Sequence, residues 1–337
     1  MAAWIPVIPT VRHDVMGFAA PFAAFVVTAV VLRVLLLPAA RRWFLDQPNQ
    51  RSLHVSPVPR TGGLGVLPGL TTGWFLVSAD PLPLLLALGL MALSLFDDWK
   101  DLPPGMRLIG HLAAAGAFVL FELGGLRWFE LALLLLAVGW MTNLYNFMDG
   151  ADGLAGGMAV FGFGTYAVAA WMAGQESLAL SCASVAAAAA GFLLFNFPPA
   201  RMFMGDAGSV PLGFLAAALG LVGWHAGVWP LWFPALVFAP FVIDASVTLV
   251  RRALRGEKVW QAHREHYYQR QVLMGWSHRK LAMAEYLLMF ATAATALVSL
   301  GLQPAAQVAV LGALACAYLA VGMAIDQRWR ARRAVRT

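Results

Sequence analysis

About eleven apolar runs joined by mostly short loops leave this chain few folds to choose from. They lie near 15–37, 63–79, 82–96, 107–123, 126–142, 154–173, 177–195, 210–225, 228–250, 282–300 and 304–323. Runs of roughly 17–25 apolar residues match a hydrocarbon core about 30 Å thick. A backbone exposed to lipid must satisfy its own hydrogen bonds, which selects helices. The chain is 61% hydrophobic and 12% charged, with a mean hydropathy of +0.72. These values predict an all-α integral membrane protein, a polytopic bundle of 10–11 transmembrane helices forming a single domain over residues 1–337.

The basic residues orient the bundle, because cytoplasmic loops carry the excess of Lys and Arg. Segments 38–62, 97–107, 196–209, 251–281 and the tail 324–337 hold twenty of the 23 Lys and Arg. The opposite side has Arg12 and Arg127, and Arg33 lies inside the first run. The N-terminus is therefore predicted to be periplasmic and the C-terminus cytoplasmic, with loops 38–62, 97–107, 143–153, 196–209 and 251–281 cytoplasmic. The net charge of +6 then reflects topology, and nucleic acid is not an expected partner. Arg328-Trp329-Arg330-Ala331-Arg332-Arg333 reads as a topology signal, with contact to anionic lipid as the alternative. The first run has its positive charges after it, at Arg41 and Arg42, which argues for an anchor and against a cleaved signal peptide. Cys182 and Cys316 fall mid-helix and are expected to be free thiols. Gly65, Gly69 and Gly73, spaced by four, and the run Ala186 to Ala190 read as close helix packing.

Seven of the seventeen acidic residues occupy four separated positions where apolar segments end: Asp97, Asp98 and Asp101; Asp149 and Asp152; Asp206; and Asp244. Carboxylates are expensive at the edge of a membrane bundle and default to function. Several on one face describe a site for Mg²⁺ and phosphate. In Asp97-Asp98-Trp99-Lys100-Asp101, adjacent like charges raise one pKa, as a general base requires; a solvated helix end is the bland reading. Asn143-Leu-Tyr-Asn146-Phe-Met-Asp149-Gly150-Ala-Asp152-Gly153 has no basic residue and puts polar oxygens on one side of a helix end, although a turn would use the same residues. In Asn196-Phe-Pro-Pro-Ala-Arg201-Met-Phe203-Met-Gly205-Asp206-Ala-Gly208-Ser209, Asp206 and Ser209 read as helix caps or as part of a phosphate site at a helix N-terminus. Phe203 either stacks on a base or packs. His263-Arg264-Glu265-His266 lacks the company of a Zn²⁺ motif and better suits phosphoryl recognition.

Taken in order, these strings resemble the polyprenyl-phosphate N-acetylhexosamine-1-phosphate transferase family, within glycosyltransferase family 4. The resemblance runs from Asp46-Gln-Pro48-Asn-Gln-Arg51-Ser-Leu-His54 and Pro59-Arg60-Thr61-Gly62-Gly63 through His278, about two thirds of the chain. It implies that sugar-1-phosphate passes from a UDP-N-acetylhexosamine to undecaprenyl phosphate with release of UMP. It also implies Mg²⁺, with Mn²⁺ as a substitute, and a bacterial inner membrane location with the active site at the cytoplasmic face. By motif, Asp97 and Asp98 match paired catalytic aspartates, and Asp206 a Mg²⁺-binding aspartate with Asn146 as second ligand. Asn196 and Phe203 match positions near uridine. Asn143, Asp149 and Asp152 would hold nucleotide or support the metal. His263, Arg264 and His266 would contact the diphosphate or sugar, and Arg60 and Arg107 are further substrate-binding candidates. The string His-Arg-Glu-His differs from the three consecutive His of the muramoyl-pentapeptide branch. That difference favours a GlcNAc or 6-deoxy donor and the start of O-antigen or another envelope polysaccharide. A homodimer is compatible with the sequence and not decided by it. The rival readings are the muramoyl-pentapeptide transferase, a membrane prenyltransferase on the strength of the DDxxD string, and a transporter or flippase.

Overall fold

The computed structural model describes residues 15–38, 45–46, 57–259, 261 and 263–334. The motif at 47–56, part of the resemblance above, lies outside the described residues. Thirteen helices carry nearly all of the described chain. In order they are α1 Val15–Leu35, α2 Gly63–Leu76, α3 Pro81–Lys100, α4 Pro104–Glu122, α5 Trp128–Phe147, α6 Leu154–Met172 and α7 Glu176–Asn196. Then follow α8 Asp206–His225, α9 Trp232–Val237, α10 Ala239–Leu254, α11 Tyr267–Leu273, α12 His278–Leu300 and α13 Pro304–Ala334. One two-residue antiparallel pair, β1 Leu45–Asp46 with β2 Val58–Pro59, was not expected from the sequence.

Every apolar run coincides with helix, which makes this a multi-pass membrane protein. Nine helices among the described residues are long and apolar enough to span. The other two runs are different in kind. α2 has only 14 residues. The run 228–250 is broken at Phe238 between α9 and α10, where Pro234 and Pro240 cannot donate to a continuous helical ladder. Helices also extend further than the expected loops. α3 carries Asp97 and Asp98 on its last turn, α5 carries Asn143 and Asn146, and loop 251–281 contains α11.

α8 is the hub, with 83% of its spanning window buried, whereas α13 has 0%. α3 and α5 lie along α8, and α4 packs on α5. α1, α2, α6 and α7 form the neighbouring group. The glycines of α2 permit its close approach to α1: a Cβ at Gly69 would sit 2.6 Å from the Ala24 carbonyl, and one at Gly65 would strike Leu32. At the head of α2, a Cβ on Gly63 would be 2.4 Å from the Gly208 nitrogen, so the starts of α2 and α8 touch backbone to backbone.

Local signals set the ends that matter. Asp80 caps α3 by accepting from Leu82 N at 2.8 Å, and Asp101 closes it in the left-handed region (φ 51°). Ser277 caps α12, accepting from Lys280 N. α8 is entered through Gly205 (φ 70°), so Asp206 is the first helical residue and not the cap. Ser209 is not a cap either: its hydroxyl donates to Asn146 Oδ1 at 2.7 Å. Both cysteines are free, Cys182 buried and Cys316 exposed.

Candidate active site

α3, α5 and α7 end at the same end of the bundle at which α4, α8 and α12 begin, and a cavity of about 1600 Å³ opens there. Three of the four acidic positions line it: Asp97, Asp98 and Asp101; Asp149 and Asp152; and Asp206. Arg60, Arg107, Asn143, Asn146, Asn196, Phe203, His263 and His266 line it too. Arg264 does not, so the expected contact from Arg264 has no support in the position of its side chain. Asp244 stands behind the wall and acts on it indirectly, as described below.

The paired aspartates differ in their engagement. Asp97 Oδ1 accepts from Leu102 N at 2.8 Å and Oδ2 from Arg107 Nη1 at 3.1 Å, so both of its oxygens are committed. Asp98 meets Arg60 Nη2 through Oδ1 at 3.0 Å, leaving Oδ2 for a ligand. Both carboxylates are nearly buried (9–10% exposed) while the two arginines are more than a third exposed, so the positive charge faces the cavity. Arg60 Nε is buried without a hydrogen-bond partner. A buried donor of that kind costs about 1–3 kcal/mol unless an anion accepts from it.

Across the cavity Asp206 begins α8, its N–H-rich first turn pointing the same way. Asp149 follows the end of α5. Burial first, then the charge of Asp206, pushes its carboxyl well above the usual carboxylate range. Asn146 Oδ1 accepts from the Ser209 hydroxyl at 2.7 Å, and its side-chain amide hydrogen-bonds Asp206. Among the described residues no three His, Cys, Asp or Glu side chains converge in a way that would hold a metal on their own. Mg²⁺ does not require that, since it takes one or two carboxylates, water and substrate phosphates. The hard oxygens of Asp206, Asn146 and Asp149 fit such a cation.

A third wall is built from the α5–α6 and α7–α8 connections. Asn196 Oδ1 accepts from Gly153 N at 2.8 Å, and its Nδ2 donates to Met202 O at 2.9 Å. Asp152 Oδ2 accepts from Ala200 N at 3.0 Å, and Oδ1 lies 3.0 Å from His278 Nδ1. Burial alone would raise the Asp152 carboxyl, but the hydrogen bonds from His278 and Ala200 outweigh it and hold it below its ordinary value. Phe203, on the α7–α8 connection, also lines the cavity.

The fourth wall is the segment after α10. Asp244 accepts from Tyr267 N (2.9 Å) and Tyr268 N (3.0 Å), the first two N–H groups of α11. It also lies 3.2 Å from His266 Nδ1. A carboxylate accepts only, so that ring nitrogen carries a proton and Nε2 is left for a ligand. The His266 ring stacks on Tyr268 and lies 4.8 Å from that of His263. Burial, then repulsion from His266 and Arg252, pushes His263 down to about 4. Arg252 holds the strand of chain before the histidines, donating to Glu257 Oε2 at 2.9 Å and Gln261 O at 3.1 Å.

Two lining histidines were not assigned roles from the sequence. His111 on α4 lies 3.2 Å from Asn143 Oδ1, and His278 pairs with Asp152. A lone histidine in an apolar helix gives no spacing to read. His278 had a signal, the Ser-His step that opens α12.

The profile of glycosyl transferase family 4 matches residues 81–223, which include Asp97, Asp98, Asn146, Asp149, Asp152 and Asp206. A probable undecaprenyl-phosphate N-acetylglucosaminyl 1-phosphate transferase of Bacillus subtilis is 29% identical over 81% of this chain and 81% of its own length. A decaprenyl-phosphate N-acetylglucosaminephosphotransferase of Mycobacterium tuberculosis is 28% identical, covering 84% of this chain and 82% of its own. A phospho-N-acetylmuramoyl-pentapeptide-transferase of Halalkalibacterium halodurans is 29% identical over 77% of this chain and 90% of its own.

Proposed function

The chain belongs to glycosyl transferase family 4, and from that premise we propose that it transfers N-acetylhexosamine-1-phosphate from a UDP-sugar to undecaprenyl phosphate, releasing UMP. The donor is UDP-GlcNAc or a 6-deoxy or otherwise modified relative. The product would start O-antigen or another envelope polysaccharide at the cytoplasmic face of a bacterial inner membrane. The observation that carries this reading is the meeting of Arg60, Arg107 and the acidic cluster in one cavity with an apolar flank. That flank, Leu93, Leu108, Leu112, Leu136, Trp140 and Leu249, suits an isoprenoid tail entering from the bilayer.

In the proposed step a phosphate oxygen of the lipid attacks the β-phosphorus of the UDP-sugar. The bond from that phosphorus to the bridging oxygen breaks, and UMP leaves with the oxygen. One phosphoanhydride replaces another. Asp98 Oδ2 takes the lipid phosphate proton, while Asp97, committed on both oxygens, holds Arg107. Arg60 and Arg107 offset the repulsion between two anionic reactants, which is the main electrostatic obstacle to phosphoryl transfer. When bound, Mg²⁺ on Asp206 and Asn146 would neutralise the diphosphate of the donor. Phe203, Asn196 and Asp152 form the side suited to the uracil ring. His263 and His266 face the sugar and diphosphate.

The test is UMP release by the purified protein with undecaprenyl phosphate, Mg²⁺ and a panel of UDP-N-acetylhexosamines. Release with a GlcNAc-type donor, lost with EDTA, supports the reading. The similarity to the Halalkalibacterium transferase favours one other donor, UDP-N-acetylmuramoyl-pentapeptide. Release with that donor alone would move the protein to the muramoyl branch.

A further inference from the structure

α13 is 31 residues long, about 46 Å at 1.5 Å per residue, which exceeds a hydrocarbon core of roughly 30 Å. Its apolar part stops before Asp326, and the polar remainder reaches back over α11. None of its spanning window is buried; Gln307 donates to Ser299 O at 3.0 Å and Tyr318 pairs with Thr292 at 2.8 Å on α12, and the remaining tethers lie at the polar end. There Asp326 accepts from Arg251 at 2.7 Å and from Arg270 at 2.8 Å, one on each oxygen. Arg332 donates to the carbonyl of Met274.

Beside these contacts lies a second, smaller cleft of about 250 Å³, lined by Gln271, Met274, Trp276, Ile325, Arg328 and Arg332. It contains two arginines and no acid. The nearest carboxylate in sequence, Asp326, already has both oxygens taken, so it does not neutralise Arg328. Lys280 stands over the ring of Trp276 at 4.5 Å, adding a third cation at the rim. The cleft lies at the polar end of α13, just past its apolar span, and Trp276 and Trp329 near that end are residues favoured at a membrane interface. Basic pockets between membrane helices at this depth suit phosphate headgroups.

We infer that this cleft binds the phosphate group of an anionic phospholipid, joining α13 to the α11–α12 turn. The consequence reaches the larger cavity, because α11 is capped by His266 at one end and supplies Gln271 to the cleft at the other. A bound headgroup fixes α11 from the end opposite Asp244.

The experiment uses the full chain in nanodiscs of phosphatidylcholine with phosphatidylglycerol, released for native mass spectrometry. Wild type and Arg328→Gln/Arg332→Gln are compared, with Arg330→Gln, which lies outside the cleft, as a control for general surface charge. Each arginine near an anionic lipid is worth about fivefold in binding, so the double variant should retain phosphatidylglycerol roughly thirtyfold less. Arg330→Gln should match wild type. Hydrogen exchange across 267–274 should slow in phosphatidylglycerol relative to phosphatidylcholine for wild type and not for the double variant. Equal lipid retention by all three proteins, or equal losses in Arg330→Gln and the double variant, would overturn the inference. Displacement of the lipid by millimolar inorganic phosphate would also overturn it, by making the cleft a site for a soluble anion. Neither readout depends on sugar-phosphate transfer.

Discussion

Replacing Asp244 by asparagine removes one acceptor from a carboxylate that organises the His263–His266 wall without touching the cavity. The native carboxylate takes Tyr267 N, Thr248 Oγ1 and His266 Nδ1 on Oδ1, and Tyr268 N on Oδ2. An asparagine can keep the first group with its oxygen, but its NH₂ then faces the Tyr268 N–H, donor against donor. Tyr268 is 1% exposed, so water does not relieve the mismatch. A hydrogen bond to a charged group contributes about 1.5–3 kcal/mol, which is roughly ten- to hundredfold in the balance between seated and unseated α11. The substitution should therefore lower kcat for UMP release by about that factor. Hydrogen exchange should rise over 263–273 and stay unchanged over α3 and α8. Asp244→Ala, which leaves the buried donors without any acceptor, should be worse. If Asp244→Asn retained kcat within about twofold and native exchange over α11, the anchoring role would be wrong.

Three other expectations follow from the same geometry. Asp98→Asn should cut transfer by roughly 10²- to 10⁴-fold, the usual range for a general base, while leaving donor binding in calorimetry intact; an unchanged rate would remove Asp98 from proton transfer. Gly63→Ala should cost about 1–3 kcal/mol or more, because its Cβ meets the backbone of α8, whereas Gly89→Ala, with open space around it, should leave the thermal midpoint unchanged. His263, held down near 4, binds fewer protons folded than unfolded between about pH 4 and 6.5, so stability should fall as pH drops through that window. A His263→Gln variant should show a shallower fall in midpoint over the same range, and an unchanged slope would contradict the shift.

The bundle was legible because hydrophobic length is a direct readout of bilayer thickness, and each apolar run became helix. The break at Phe238 was written in Pro234 and Pro240, but a hydropathy window averages over prolines and sees one run. The motifs around Asp97, Asp149 and Asp206 stood out because carboxylates are rare in so apolar a chain. Their pairing did not, since Arg107 reaches Asp97 only after α4 turns back on α3, and Arg60, just before α2, reaches Asp98 at the far end of α3. Asp244 read as one more acid of the site, yet it lies behind the wall, bound to backbone 23 and 24 residues away. Asp326 gave no signal at all, because its partners Arg251 and Arg270 lie 75 and 56 residues earlier. Arg264, adjacent to His263, shows the opposite case, in which membership of a motif did not place a side chain in the cavity.

The central claim is that the whole sugar-1-phosphate unit moves. The most direct measurement uses UDP-GlcNAc, or whichever donor the panel identifies, radiolabelled only at the β-phosphorus and incubated with the purified protein, Mg²⁺ and undecaprenyl phosphate. The account predicts label in the lipid product, unlabelled UMP, and transfer by Asp98→Asn reduced by roughly 10²- to 10⁴-fold. Label left in UDP while the sugar alone reaches the lipid would contradict it, because attack would then have occurred at the sugar carbon and not at phosphorus.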